Sequence, residues 1–286
     1  MAEQRTLSDL LKSAEARLAA AGVDSPALDV RWLAEHAFGL TRTELRSRGR
    51  DLPDPQRAAA FEQLLARREK REPLQRLLGS WEFWGLELAL GPDTLIPRAD
   101  TETLVEAVLR RRPDRARPWR VLDLGTGTGA ILLALLHEYR AAAGVGVDFS
   151  PGAASVASLN ARRLGLSDRA VFLVGSWADA LGGGQFDILA SNPPYIPDAD
   201  IAGLEPEVAL HEPRLALAGG ADGLDPYRHL AREALRLLAP GGLIALEHGF
   251  DQGEAVRELL NQAGLSGAET LADLGGRPRV TCATLP

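Results

Sequence analysis

Residues 120–130 read Arg-Val-Leu-Asp-Leu-Gly-Thr-Gly-Thr-Gly-Ala. An apolar run ends beside an acid, and a glycine-rich turn leads directly into the apolar stretch Ala130–Tyr139. This predicts a buried strand, a tight turn and a helix, with glycines where the backbone turns sharply and approaches a ligand. The alternation continues outward. Val145–Asp148 reads as a strand and Pro151–Leu164 as a helix with proline in its first turn. Val171–Val174 and Phe186–Ala190 read as strands, Asp225–Leu238 as a helix, Gly242–Glu247 as a strand and Gln252–Ala263 as a helix. Two last strands are expected at Ala268–Leu271 and Arg279–Thr284. Such a pattern predicts an α/β, Rossmann-like domain: a doubly wound, mostly parallel sheet that binds ligands at the C-terminal ends of its strands.

Upstream the pattern changes. Thr6 or Ser8 can cap a helix with Leu10, Leu11, Ala14 and Leu18 on one face. A second follows Ser25-Pro26, with Leu28, Trp32, Leu33 and Ala37 on one stripe. Thr41 starts a short third, and Ala58–Lys70 is a fourth with Phe61, Leu64 and Leu65 inward. No charged or histidine cluster is evident among these helices, so residues 1–75 read as a small bundle for recognition rather than chemistry. Trp81–Leu90 reads as a hairpin turning near Gly85. The expected organisation is a helical substrate-recognition domain at 1–75, a β-hairpin linker at 76–97 and a catalytic domain at 98–286.

A length of 286 residues favours two domains, and 45% apolar with 25% charged residues is ordinary for a globular protein. No apolar run reaches the roughly 18–20 residues that span a bilayer, and the charged first 30 residues do not read as a signal peptide. The lone Cys282 excludes an internal disulfide and suits a buried thiol in a reducing, cytoplasmic compartment. Net charge is −7, which argues against a sequence-independent grip on nucleic acid. Residues 1–78 carry 14 Arg and Lys against 12 Asp and Glu, whereas the remainder carries 18 against 27.

The glycine loop alone leaves two ligands open. Gly125, Gly127 and Ala130 satisfy the dinucleotide fingerprint, and Asp148 ends the next strand where an acid takes ribose hydroxyls. A nicotinamide dinucleotide and S-adenosylmethionine both fit. Asp123 leans toward the second, because a carboxylate beside Gly125, Thr126, Gly127, Thr128 and Gly129 attracts an ammonium group and repels a pyrophosphate.

Asn192-Pro193-Pro194-Tyr195 decides between them. It follows the Phe186–Ala190 strand at the ligand-binding edge. A nitrogen conjugated with a carbonyl or ring is a poor nucleophile because its lone pair is delocalised. Two acceptors, the Asn192 side-chain oxygen and the Pro193 carbonyl, can take both N–H donors of an NH₂ group and leave the lone pair facing a sulfonium methyl. Pro193 holds Asn192 extended, Pro194 stiffens the loop, and Tyr195 offers a flat wall to a planar acceptor. Alignment of this kind contributes several kcal/mol to lowering a barrier, up to ~7–11 kcal/mol in the best intramolecular cases. Trp177 either lines an adenine pocket or packs in the core. The histidines show no metal spacing, and no metal is expected.

At these residues the chain resembles the protein-(glutamine-N5) methyltransferases that modify class I peptide chain release factors. The resemblance extends through Glu82-Phe83-Trp84-Gly85-Leu86, Leu95-Ile96-Pro97-Arg98, Glu212-Pro213-Arg214-Leu215-Ala216-Leu217, Asp222-Gly223-Leu224-Asp225, Pro240-Gly241-Gly242, Gly276-Arg277 and Arg279-Val280. It implies a helical first domain, a hairpin and a class I methyltransferase domain. It also implies cofactor contacts at Gly125–Gly129, Asp148, Trp177 and Asn192, and a glutamine gripped by Asn192–Tyr195. The chain departs from the family pattern at Ala99-Asp100, usually Pro-Glu, at Ser176, usually an acid, and at His248, where an aliphatic residue is expected.

Three other functions compete. A DNA adenine N6-methyltransferase meets the same geometric problem but needs a basic cleft and base flipping. A nicotinamide-dependent oxidoreductase leaves Asn-Pro-Pro-Tyr unexplained. A catalytically silent module would bind cofactor without turnover.

Overall fold

In the computed structural model, which describes residues 5–179 and 181–286, the chain divides into two units. One comprises Met1–Gly79 with Glu205–His211, the other Ser80–Leu204 with Glu212–Pro286.

The first unit holds α1 (Leu7–Ala20), α2 (Pro26–Phe38), α3 (Arg42–Ser47), α4 (Pro55–Arg68) and α5 (Leu74–Leu78). Thr6 caps α1 in a capping box with Asp9, Thr41 caps α3 with Glu44, and Asp54 caps α4. Leu18, Leu33, Phe61 and Leu65 are fully buried at its centre, and Phe61 meets Phe38 with ring centroids 5.6 Å apart. The inward stripe of α2 differs from the expected one. Val30, Leu33, Ala34 and Phe38 are buried, while Leu28 and Trp32 are 44% and 36% exposed. The helix is rotated by an inward-facing acid. Asp29 is buried and accepts from Arg68 Nε at 2.7 Å.

That pair belongs to a charged cluster, contrary to the expectation of none. Glu207, on the one-turn helix α9 (Pro206–Ala209), accepts from Arg68 at 2.8 Å and from both Nε and Nη2 of Arg71 at 2.6 and 2.7 Å. A buried guanidinium is tolerated because carboxylates surround it. The Arg71 and Arg68 hydrogen bonds hold the Glu207 pKa down to about 2 against the opposing effect of burial, which is the largest single influence.

The second unit opens with the hairpin β1 (Ser80–Phe83) and β2 (Leu86–Ala89). Trp84 and Gly85 both adopt positive φ, the two-residue turn that matches strand twist. Trp84 donates its backbone N–H to Glu102 and its indole N–H to Glu138, each at 2.8 Å. Phe83, Leu86 and Leu88 are buried in the same core as Leu104 and Val108. The hairpin packs within the second unit, where three apolar side chains and two N–H groups find partners.

The sheet follows: β3 (Arg120–Leu124), β4 (Ala143–Asp148), β5 (Ala170–Val174), β6 (Phe186–Ser191), β7 (Leu238–Glu247), β8 (Ser266–Ala272) and β9 (Pro278–Thr284), in the order β5-β4-β3-β6-β7-β9-β8. β3 pairs in parallel with β4 and β6, β6 with β7, and β9 runs antiparallel to β7 and β8. Along β3, Val121 joins one core while Leu122 and Leu124 join the other. Helices α6 (Glu102–Arg111), α7 (Ala130–Glu138) and α8 (Pro151–Arg163) pack with the first core, and α10 (Asp225–Leu237) and α11 (Gly253–Gln262) with the second. Because β4 and β6 flank β3 on opposite sides, the chain reverses its winding there. The loops after β3 and β6 open side by side, at the switch point where such sheets bind ligands.

Candidate active site

The loop after β3 is built by its own backbone. Gly125, Gly127 and Gly129 all take positive φ, so the left-handed backbone itself calls for glycine there. The Gly125 and Thr126 amides donate to the Val147 carbonyl at 2.9 and 3.0 Å, and the Gly127 amide donates to Asp148 Oδ2 at 2.8 Å. Asp148 Oδ1 accepts from Ser150 at 2.9 Å, and burial raises the Asp148 pKa against these bonds. Asn160 of α8 clamps the loop from behind, donating to Thr128 and Ala89 and accepting from Ala89.

A cavity of about 580 Å³ sits over this loop, a size suited to a nucleoside-like ligand. Gly125, Thr126, Gly127, Thr128, Asp148, Trp177, Asn192 and Pro194 line it. Asp123, Gly129, Pro193 and Tyr195 are not among the lining residues. Asp123 is fully buried under the loop and accepts from Thr126 Oγ1 at 2.6 Å, while its Oδ1 has no partner. Burial pushes its pKa up to about 7.

After β6, the Asn192 side chain donates Nδ2–H to Thr101 Oγ1 at 3.2 Å, while its Oδ1 is buried without a partner. Tyr195 packs against the second core, and its carbonyl accepts from Gln252 at 3.0 Å. Burial raises its phenol to about 12, so it stays protonated. Glu247, ending β7, is 1% exposed. Burial pushes it up to about 7, opposed by the neighbouring Thr101 hydroxyl, Arg279 and the Asn192 amide. Trp177 lines the cavity in a left-handed conformation and also packs on the second core. Its ring lies 5.6 Å from that of His229.

Thr101, Glu247, His229 and the cavity-lining Phe149 were not picked out from sequence. Only Phe149 carries a local signal, as the residue after the strand-end acid. Two of the segments that carry the resemblance meet. Arg98 meets Glu212 at 3.4 Å, and Arg279 bridges Asp100 and Asp273 at 3.1 and 3.3 Å. His248, where an aliphatic residue is expected, is buried and bonded to Thr281 at 2.9 Å, which makes it a structural residue. Among the described residues no His, Cys, Asp and Glu group could hold a metal, and no helix is long and apolar enough to cross a membrane.

This sheet order, with a glycine loop after the first parallel strand and Asn-Pro-Pro-Tyr after the fourth, defines a class I methyltransferase fold behind a helical first domain. Residues 117–268 match the family model for a methyltransferase domain, and residues 9–79 match that for the PrmC N-terminal domain. The chain is 52% identical to the release factor glutamine methyltransferase of Rhodospirillum rubrum, over 96% of this chain and 83% of that one. It is 46% identical to the enzyme of the same name from Caulobacter vibrioides, over 96% and 95%. A methyltransferase from Pyrococcus furiosus shares the fold, with a TM-score of 0.50 at 17% identity over 70% of this chain and 89% of that one. The chain belongs to the release factor glutamine methyltransferase family.

Proposed function

We propose that this protein transfers a methyl group from S-adenosylmethionine to the side-chain amide nitrogen of the glutamine in the Gly-Gly-Gln loop of class I peptide chain release factors, in the cytoplasm. The observation that carries the reading is the buried Asn192 Oδ1, an acceptor without a partner on a residue that lines the glycine-loop cavity. An unsatisfied buried acceptor costs about 1–3 kcal/mol, which an incoming N–H donor would recover.

The residues fit the cofactor. Asp148 presents a carboxylate at the ribose position, held by two backbone amides, and the left-handed glycines keep the loop free of side chains. When bound, S-adenosylmethionine supplies an electrophilic methyl. The chain's own part is to orient the acceptor. Asn192 Oδ1 and the Pro193 carbonyl take the two N–H donors of the carboxamide, and Tyr195 and the two prolines limit its tilt. No strong base is needed, because the proton leaves only after nitrogen has gained positive charge, and Tyr195 stays neutral. The flanking glycines of the substrate loop let it enter without side-chain clashes. Residues 1–75 would hold the rest of a large protein, away from the reacting atom.

The names of the relatives favour a protein acceptor over adenine in DNA. Digest mass spectrometry after reaction should find one added methyl on that glutamine, and none when it is replaced by alanine. Methylation of DNA adenine with none on release factor would refute the proposal.

A further inference from the structure

The proposed reaction uses two acceptors, Asn192 Oδ1 and the Pro193 carbonyl, and the second belongs to a backbone that two prolines deprive of anchors. Neither Pro193 nor Pro194 has an N–H to donate, so the residues that follow must help to aim the loop. The Tyr195 carbonyl accepts from Gln252 Nε2 at 3.0 Å. Beyond it, the Ile196 amide donates to the Leu217 carbonyl at 3.0 Å, and the Ile196 carbonyl accepts from Gly219 at 2.9 Å.

Gln252 occupies the N-cap position of α11, yet its side chain caps nothing in its own helix. Its Oε1 accepts from the Gly249 amide at 2.9 Å, in the turn after β7. Its Nε2 also donates to the Gly223 carbonyl at 3.4 Å, just before α10. One side chain therefore ties together three loops. These bonds also fix which way the amide points, because a reversed amide would set its oxygen against two carbonyls and its NH₂ against an N–H. Gly223 fits this arrangement closely. It takes φ +75°, and a Cβ there would lie 2.3 Å from the Tyr195 carbonyl oxygen and 2.6 Å from Gln252 Nε2. A Cβ on Gly219 would lie 2.9 Å from the Pro194 carbonyl oxygen. The Asp222-Gly223-Leu224-Asp225 segment, which carries part of the resemblance, thus backs the Asn-Pro-Pro-Tyr loop with bare backbone. With φ locked at both prolines, few torsions remain to absorb a shift of the Tyr195 carbonyl before it reaches Pro193.

We infer that Gln252 is a positioning residue for methyl transfer, an amide that pins the Tyr195 carbonyl and through it aims the Pro193 carbonyl at the acceptor NH₂. This inference rests on the roles given to Asn192 and Pro193 under the proposed function.

The test uses the full-length protein and intact release factor, with calorimetric S-adenosylmethionine binding to count competent sites. Gln252→Glu keeps the shape and the acceptor for Gly249 but turns lone pairs toward two carbonyls. Gln252→Met removes the donors and the acceptor alike. Each should lower kcat per site by about tenfold or more while cofactor affinity stays within about twofold, and Gln252→Glu should be the slower. Gly223→Ala, which presses on the same carbonyl from behind, should also lower kcat. Combined with Gln252→Met it should cost far less than the product of the two single losses, because both act through one carbonyl. A Gln252→Glu enzyme at wild-type kcat per site would overturn the inference, and so would losses that multiply. Fewer competent sites and a lower unfolding midpoint at unchanged kcat per site would show a purely structural glutamine and overturn it equally. Asn192→Ala separates the two levels. If it turns over normally, the underlying reading fails and takes this inference with it. If it is inactive while both Gln252 variants are unimpaired, the inference alone fails.

Discussion

The Gly127 amide donates to Asp148 Oδ2 at 2.8 Å, so the glycine loop and the acid at the end of the next strand are one hydrogen-bonded structure. Ligand affinity and loop geometry are thereby coupled at Asp148. Asp148→Ala should weaken S-adenosylmethionine binding by about 10–100-fold in calorimetry, the equivalent of roughly 1.4–2.8 kcal/mol. Asp148→Asn should do less harm, because an amide oxygen can still accept from Gly127. Unchanged affinity in the alanine variant would remove Asp148 from the cofactor site.

Asn192 should act on turnover more than on cofactor capture. Its free Oδ1 serves the acceptor, and its other end is already engaged by Thr101. Asn192→Ala should lower kcat by about 10² or more while cofactor affinity changes far less. Stopped assays across cofactor concentrations would show this split, and near-normal kcat would exclude the proposed role.

The elements read correctly from sequence are those whose signal is local. Asp123–Gly129 and Asn192–Tyr195 are contiguous, and a strand followed by glycines or by Asn-Pro-Pro-Tyr needs no distant partner to be interpreted. Thr101 follows the Ile96-Pro97-Arg98 segment and Glu247 closes a strand, but nothing local to either points to Asn192. Their meaning arises only when α6 and β7 bring them to Asn192. Helix α2 was misread for a related reason. Leu28 and Trp32 make a plausible apolar stripe, but Asp29 turns inward to meet Arg68. Glu207, which completes that cluster, lies 139 residues beyond Arg68. A truncation at residue 75 would thus strip Glu207 of its arginine partners, so it is not a neutral way to test the helical unit.

Cys282 lies in β9 with no exposed surface, and burial pushes its thiol up to about 11. A thiol that is neither ionised nor accessible should not react. The native protein should be silent to an aromatic disulfide reagent at pH 8 and should yield one thiol per chain in denaturant. Rapid reaction of the native protein would contradict the packing of β9.

The Glu207 cluster should make stability depend on acid pH in a definite direction. Its folded pKa lies at about 2, below the ordinary 4.5, because Arg71 and Arg68 bond the ionised carboxylate more than burial penalises it. A depressed folded pKa means that the unfolded chain binds the proton more readily. The contribution is therefore complete above about pH 4.5 and is lost progressively as pH falls toward 2. Glu207→Gln keeps the shape and removes the charge. At pH 7 it should destabilise the protein by about 1–3 kcal/mol, the usual range for a hydrogen bond to a charged partner. The variant should also lose less further stability than the wild type between pH 5 and pH 3. Urea unfolding followed by circular dichroism at a series of pH values measures both. Parallel stability curves for the two proteins across that window would show that Glu207 is not an acid-sensitive contact.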